Sequence, residues 1–173
     1  HCSGTGDPIG RAVDIDPYEY ATVVTLNAAS GPSLGQAFLR SCHQRGIRAT
    51  LVITSSPAAH KDVTGMAQYC SSKDGMEHWA RIVAMEQHAD SGNRVMTVVP
   101  YAVLTEVTRS VMTRDPEEVP LVNYFRQVEA AGEFSSPETC AQQIWRVIAD
   151  GANGDIVPVG SVVIAERAAA AAS

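Results

Sequence analysis

The chain has 173 residues, of which 45% are hydrophobic and 18% are charged. That length suits one domain, and the apolar fraction is large enough for a buried core, which excludes a disordered or collagen-like chain. Thirteen basic against nineteen acidic residues give a net charge of −6, and no basic patch is evident, so we expect no nucleic-acid partner. Every apolar run is shorter than the roughly 18 residues that a membrane helix needs, so we expect no membrane association.

The cysteines and histidines do not form a recognisable metal motif. The four cysteines, Cys2, Cys42, Cys70 and Cys140, have neither CxxC nor zinc-binding spacing, and the histidines include no HxxxH pair. We therefore expect no metal site. Scattered thiols are typical of a reducing compartment, and the opening residues lack the charged-then-apolar pattern of a secretion signal, so a cytoplasmic location is predicted.

A glycine-rich loop and a long, interrupted helix are predicted first along the chain. Residues 1–15 have the composition of a loop. The Asp-Pro pair at 16–17 is a typical helix start, because aspartate caps the first amides and proline is tolerated at the first position. Apolar residues then recur at helical spacing over 18–44. Pro32 lacks the amide that would bond to the preceding turn, which predicts a kink just after Asn27.

The rest of the chain alternates between strands and helices. Three short apolar runs without polar alternation are predicted as strands buried on both faces, at residues 50–54, 94–100 and 154–159. Helical periodicity is found between and around them, at residues 67–87, 105–113, 120–130 and 136–149. This order indicates an α/β fold with a doubly wound parallel sheet, and residues 1–173 are predicted to form a single domain.

The strongest chemical signal is a serine followed by a tyrosine and a lysine. Ser56 comes directly after a predicted strand, where ligands bind in open parallel sheets. Tyr69 and Lys73 are four residues apart at the start of the next helix and share one face. A nearby ammonium favours the phenolate, so we expect Lys73 to lower the pKa of Tyr69 and allow proton exchange with a substrate oxygen. A packing tyrosine beside a surface lysine is the plainer reading of these two residues alone.

Ser56, Tyr69 and Lys73, in this order and spacing, resemble the catalytic residues of the short-chain dehydrogenase/reductase family. Asn27 lies in the helix before the serine strand, where that family has its catalytic asparagine. Residues 98–105 resemble its Pro-Gly-x-x-x-Thr segment. Within the family, residues 123–159 look most like sepiapterin-reductase and benzil-reductase-like carbonyl reductases. The implied fold is Rossmann-like.

The resemblance implies a role for each catalytic position. Tyr69 would be the general acid that protonates a carbonyl oxygen, and the base in the reverse direction. Lys73 would lower its pKa and hold the nicotinamide ribose, and Ser56 would orient the carbonyl. Asn27 would anchor a water in a proton relay towards Lys73, since a disturbed helix leaves carbonyl groups available to bind it. An ordinary polar position inside a helix is the alternative for Asn27.

The resemblance also implies a cofactor, NADP or NAD, and the residues that would hold it. Besides Tyr69 and Lys73, these are Cys2, Gly4, Pro100, Val103 and Thr105. Val103, through its backbone, and Thr105 would contact the nicotinamide carboxamide. Two departures put cofactor affinity in question: Tyr101 stands where the family has glycine, and His1-Cys-Ser-Gly4 replaces Asn-Asn-Ala-Gly.

The glycine-rich phosphate turn of the family has no counterpart in the sequence. Gly4-Thr-Gly6 and the segment 31–35 follow no strand that could begin a dinucleotide-binding unit. We therefore expect this chain to be the C-terminal portion of a longer domain, carrying its catalytic and substrate-closing part.

The function implied is NAD(P)H-dependent reduction of a carbonyl, in a ketone, an aldehyde or a pterin side chain, to an alcohol. A homo-dimer or homo-tetramer is implied by analogy. A catalytically impaired dinucleotide-binding or scaffold protein of the same fold is the alternative, suggested by Tyr101 and the altered turn. A Ser-His hydrolase is disfavoured because no GxSxG motif is present. The irregular segment 101–134 is expected to line the substrate pocket as a lid.

Overall fold

The structure, a computed structural model, describes residues 1–161 apart from the side chains of residues 88–90. Helices and strands alternate along it in the order α1 (Pro17–Val24), α2 (Ser30–Gln44), β1 (Thr50–Thr54), α3 (Ala67–Asp90), β2 (Arg94–Tyr101), α4 (Glu106–Met112), α5 (Leu121–Ala130), α6 (Pro137–Asp150) and β3 (Ile156–Gly160). None of these helices is long and apolar enough to cross a membrane.

The first long helical segment is interrupted where the sequence indicates. A five-residue π-helical turn, Thr25–Ala29, separates α1 from α2 and contains Asn27. Pro32 lies in the next turn and has no amide to bond back, which favours the wider π geometry over a regular α-helix. Helix α1 also begins as predicted, because the Asp16 side chain accepts hydrogen bonds from the amides of Tyr18 and Glu19.

The three strands form one parallel sheet in the order β1-β2-β3. Thr50 pairs with Arg94 at the start of β1, and Thr97 pairs with Ile156 at the start of β3. Because every strand is parallel, all carboxyl ends lie at the same edge of the sheet. The predicted parallel α/β fold is confirmed.

Helices cover both faces of the sheet, which makes it doubly wound. On one face, α2 and α3 pack against β1 and β2 through Leu39, Ile53, Met76 and Val95 and their neighbours. On the opposite face, α6 covers the sheet, and this core includes Cys140, Val98 and Val159. Burial on both faces explains why the strands have no polar alternation.

Close packing of α2 depends on a glycine. A Cβ at Gly35 would lie 2.8 Å from Leu51 Cδ2 and 2.8 Å from Trp79 Cη2, closer than these atoms can approach. The missing side chain therefore allows α2 to lie directly against β1 and α3.

The first residues of the chain run beside the outer edge of β1. The main-chain nitrogen of His1 donates to the carbonyl of Val52 at 2.8 Å, and the His1 carbonyl accepts from the amide of Thr54 at 3.1 Å. Residues 2–5 are thereby directed to the carboxyl end of β1, the edge of the sheet where the predicted site residues are found.

Candidate active site

A cavity of about 410 Å³ lies at the carboxyl ends of β1 and β2. Its lining includes Ser56 after β1, Tyr69 and Lys73 from the first turns of α3, and Pro100 and Tyr101 at the end of β2. This is the position at which open parallel sheets bind ligands. The structure therefore brings these five residues together, although they are up to 45 positions apart in the sequence.

Ser56 begins a single 3₁₀ turn that follows β1. Its backbone is extended, and its Oγ accepts a hydrogen bond from the amide of Ala58 at 3.2 Å. The preceding amide, of Ser55, donates to the carbonyl of Val98 at 2.8 Å, which fixes the start of the turn to β2. Ser56 is thus held by the sheet on one side and by its own cap on the other.

Tyr69 is partly buried at the start of α3, where it packs against an apolar cluster that includes Met66 and Val111. Burial raises the pKa of its phenol, and a side-chain hydrogen bond with Ser56 offsets only part of that rise. The overall direction is opposite to the one expected from Lys73 alone, because burial outweighs the other contributions to the pKa of Tyr69. Lys73 Nζ lies 5.7 Å from the centroid of the Tyr69 ring and donates to the Thr54 carbonyl, and a lowering of the Tyr69 pKa by Lys73 stays a prediction.

Lys73 lies at the floor of the cavity and is only 4% exposed. Its ammonium donates to the carbonyl of Thr54 at 3.0 Å. Burial lowers the pKa of Lys73 to about 8, and the neighbouring Cys2 offsets part of this effect. The lysine therefore carries its charge at neutral pH but loses it in mildly alkaline solution.

Asn27 lies behind the cavity wall and is completely buried. Its Oδ1 accepts from the amide of Thr5 at 2.9 Å, and its Nδ2 donates to the carbonyl of Thr5 at 2.8 Å. Gly4 separates it from the lysine, since a Cβ at Gly4 would lie 3.1 Å from Asn27 Oδ1 and 3.6 Å from Lys73 Nζ. The Asn27 side chain thus fastens residues 4–5 to the π-helical turn.

The two hydrogen bonds between the Asn27 side chain and the Thr5 main chain are expected to stabilise the protein. Asn27→Ala leaves the amide and carbonyl of Thr5 without partners and is expected to lower the free energy of unfolding by about 2 kcal/mol. Asn123→Ala, at an exposed position on α5, is the matched control and should change it by less than about 0.5 kcal/mol. Urea unfolding measures the free energy of unfolding of both variants. Equal values for the two variants would contradict a stabilising role of the Asn27–Thr5 hydrogen bonds.

The residues predicted to hold a cofactor all line the same cavity: Cys2, Gly4, Tyr69, Lys73, Pro100, Val103 and Thr105. The Cys2 Sγ accepts from Thr54 Oγ1 at 3.4 Å. The side chain of Thr105 caps α4 by accepting a hydrogen bond from the amide of Thr108 at 3.4 Å. Its hydroxyl oxygen is therefore already engaged at the start of this helix.

The segment after β2 is shaped by an uncommon backbone conformation. Ala102 has a φ of 44°, in the left-handed region that residues with a Cβ seldom adopt. The bridge between Val103 and Ser135 uses the carbonyl of Ala102 and the amide of Leu104, so the main-chain groups of Val103 itself are turned away from it. Tyr101, in place of the family's glycine, contributes to the cavity wall.

Sequence reasoning missed much of the cavity wall. Ser55 lines it, and its Oγ is buried without a hydrogen-bond partner in the part of the chain that the structure describes. An apolar wall comes from Val63, Met66, Val107, Val111, Leu121 and Phe125. Those from α4 and α5 belong to the segment expected to line the pocket. No sequence pattern assigns the individual residues of this apolar wall to a pocket, because apolar residues at helical spacing are typical of any core.

The chain is similar to known oxidoreductases over nearly its whole length. A family model described as enoyl-(acyl carrier protein) reductase matches residues 1–163. A benzil reductase from Bacillus subtilis, described as (S)-benzoin forming, is 24% identical over 91% of this chain and 65% of its own length. An NADPH carbonyl reductase from Sus scrofa is 31% identical over 72% of this chain and 49% of its own length. The chain belongs to the short-chain dehydrogenase/reductase family.

Solved structures show the same fold. A short-chain dehydrogenase/reductase from Saccharomyces cerevisiae superposes with a TM-score of 0.77 at 20% identity, over 90% of this chain and 62% of that one. One from Burkholderia xenovorans, described as a putative member, gives a TM-score of 0.74 at 22% identity, over 94% and 63%. The chain therefore has the Rossmann-like fold of these proteins and spans about half to two thirds of the length of the curated relatives above.

Proposed function

We propose that this protein is an NAD(P)H-dependent oxidoreductase that reduces a carbonyl group to an alcohol, with Tyr69 as the general acid. The observation that carries the proposal is the convergence of Ser56, Tyr69 and Lys73 on one cavity at the carboxyl ends of β1 and β2. A phenol, a hydroxyl and a buried ammonium at one ligand position are suited to transferring a proton to a substrate oxygen.

The residues present suit a nicotinamide cofactor. Gly4 leaves the cavity wall without a side chain beside Lys73, and the buried Ser55 Oγ has no partner among the described residues. Lys73 uses one donor on Thr54, and an ammonium has three, so donors remain for ribose hydroxyls. Gly4, Lys73, Val103 and Thr105 would hold the nicotinamide riboside, with Cys2, Tyr69 and Pro100 beside it. The cofactor, when bound, supplies the hydride.

The side chains would divide the proton chemistry between them. Ser56 orients the substrate carbonyl by donating a hydrogen bond to its oxygen. Tyr69 donates its phenolic proton to the same oxygen, and its raised pKa keeps that proton in place at neutral pH. The charged Lys73 stabilises the phenolate that remains. Asn27 would hold a relay water through its main-chain carbonyl, because both polar atoms of its side chain are bonded to Thr5.

The apolar wall supports a ketone or aldehyde with a bulky hydrophobic body as the substrate. Met66 and Val111 are at most 2% exposed and belong to one apolar cluster with Leu121 and Phe125. Such a wall favours apolar over highly polar substrates by the free energy of desolvation. The resemblance to a benzil reductase points the same way, whereas a pterin side-chain carbonyl is the more polar option.

Other properties of the whole protein are also proposals. NADP is favoured over NAD because one relative is named an NADPH carbonyl reductase. A homo-dimer or homo-tetramer is supported by exposed apolar residues on the two long helices, Leu34 and Phe38 on α2 and Met85 on α3. A cytoplasmic location is supported by the four free cysteines.

A binding or scaffold protein that lacks useful catalysis is the second candidate. It is favoured by Tyr101, whose side chain occupies cavity wall where the family has only glycine. A bulky residue there would crowd the nicotinamide and weaken its binding.

A single assay separates the two candidates. The complete protein, as its source organism makes it, is incubated with NADPH or NADH and a panel of aromatic, alicyclic and aliphatic ketones and aldehydes. We expect coenzyme oxidation with NADPH that is fastest on bulky apolar carbonyls, because these fill the hydrophobic wall. Cofactor binding without turnover across the panel would favour the scaffold, and Tyr101→Gly would then be expected to strengthen that binding.

A further inference from the structure

A buried carboxylate lies on α3 one turn beyond Lys73. The side chain of Glu77 is completely buried, with Oε1 2.9 Å from His60 Nε2 and 3.3 Å from Arg81 Nη1. Its Oε2 is buried without a hydrogen-bond partner within residues 1–161. Burying a half-satisfied carboxylate is costly, and an apolar side chain of similar size often serves stability as well or better. Stability alone therefore does not explain a glutamate at this position.

His60 connects this carboxylate to the serine of the candidate active site. It closes the 3₁₀ turn Pro57–Ala59, because its amide donates to the Pro57 carbonyl at 3.1 Å. Ser56 begins the same turn, and its carbonyl accepts from the amide of Ala59 at 3.0 Å. The turn is anchored to the sheet at its start, and the bond from His60 to Glu77 anchors its end to α3.

The same rigid helix therefore carries Tyr69 directly and holds Ser56 indirectly. Tyr69, Lys73 and Glu77 follow one another at intervals of four and lie on one face of α3. Glu77 is about 12 Å along the helix from Tyr69 and is not part of the cavity wall. It does not line the cavity, so an effect on the reaction has to pass through the groups that it faces, and His60 is the one that connects it to the turn of Ser56.

The groups that face the Glu77 carboxylate come from three elements. His60 lies at the end of the 3₁₀ turn, and Arg81 lies on α3 itself. Tyr101, at the end of β2, is near enough that the carboxylate adds to the rise in its pKa that burial causes. The carboxylate is therefore electrostatically linked to a second residue of the cavity wall.

We propose that Glu77 is a positioning residue, whose carboxylate acts through His60 to fix the turn of Ser56 relative to Tyr69. The inference rests on the proposed function, because positioning Ser56 has a catalytic consequence only if Ser56 and Tyr69 act on one substrate oxygen. The contact itself is independent of catalysis, and it can be tested separately.

The test combines amide hydrogen exchange with kinetics on the complete protein. Glu77→Leu replaces the acceptor with an apolar side chain of similar size, and His60→Ala removes the donor at a half-exposed position that tolerates substitution. In both variants we expect the amides of residues 58–60 to exchange roughly 10-fold faster or more. We expect kcat for ketone reduction to fall roughly 10- to 100-fold, with the KM for the coenzyme unchanged, because a small misplacement of a reacting group has effects of this size.

Three further variants separate positioning from a merely structural role. Glu77→Gln keeps an oxygen that accepts from His60 and should retain most of the activity. Glu86→Gln, at an exposed position of the same helix, should leave exchange and turnover unchanged. The double variant Glu77→Leu/His60→Ala should be no slower than the worse single variant, since both substitutions break the same contact.

Amide exchange and kcat together distinguish a failure of the Glu77 inference from a failure of the proposed function. Unchanged exchange at residues 58–60 in His60→Ala would overturn the inference, and so would faster exchange with unchanged kcat. If the unsubstituted protein reduces no carbonyl in the panel, the proposed function fails, and the exchange data alone then decide whether Glu77 holds the turn.

Discussion

Replacing Tyr69 with phenylalanine is expected to lower kcat for carbonyl reduction by roughly 10²- to 10⁴-fold, the usual contribution of a positioned general acid. The substitution removes only the hydroxyl, and the ring continues to pack beside Met66 and Val63 in its apolar cluster. Because burial raises the pKa of Tyr69, the phenol is protonated at neutral pH, and its loss removes a proton donor. Single-turnover reduction with saturating NADPH measures the effect.

Tyr18→Phe is the matched control for this substitution. Tyr18 is 82% exposed at the start of α1 and does not line the cavity, so its variant should keep full activity. Coenzyme binding and the midpoint of urea unfolding should be nearly unchanged in both variants. Full turnover by Tyr69→Phe would remove the proposed mechanism.

Replacing Lys73 with methionine is expected to have two opposite effects. Activity should fall roughly 10²- to 10³-fold, the usual result of removing one preorganised charge or donor that stabilises the developing negative charge. Stability at pH 7 should rise, because the lysine is only 4% exposed and burial disfavours its ammonium. The role proposed for Lys73 would therefore come at a cost in stability.

The size and pH dependence of the stability gain follow from the pKa of Lys73. Its pKa is about 8 in the folded protein, below the ordinary value of ~10.4 for an unfolded chain. Because each pKa unit corresponds to about 1.4 kcal/mol, burial of the charge costs about 3 kcal/mol of folding free energy. Losing the hydrogen bond to Thr54 offsets about 1–2 kcal/mol of this. A net gain of about 1–2 kcal/mol at pH 7 is therefore expected.

The sign of the pH effect provides a sharper test. Between pH 8 and about 10.4 the unfolded chain binds the proton that folded Lys73 has lost, so wild-type stability rises with pH in that window. The advantage of the methionine variant should shrink by the same amount. Urea unfolding from pH 7 to 10 measures it. Lys61→Met, at an exposed position on the cavity rim, should show no such convergence. If the difference in free energy of unfolding between Lys73→Met and the unsubstituted protein did not change with pH, a buried charge on Lys73 would be contradicted.

Much of the fold could be predicted from the sequence because its signals are local. Apolar runs without alternation mark strands that are buried on both faces, and β1 and β2 begin at their predicted starts, Thr50 and Arg94. Pro32 predicts the disturbed turn at Asn27, since a missing amide acts within its own helix. Ser56, Tyr69 and Lys73 could be selected because strand ends and four-residue helical spacing define positions before any tertiary contact is known.

Only the tertiary structure decided the environment of these groups. The pKa of Tyr69 is raised, opposite to the expectation from its neighbour Lys73, because burial depends on α4, α5 and the loop around Met66. The apolar cavity wall and the His60–Glu77 contact were equally invisible in the sequence, since the first resembles any core and the second joins residues 17 positions apart. Sequence periodicity specifies which elements form, whereas charge, desolvation and pocket shape arise from how distant elements pack together.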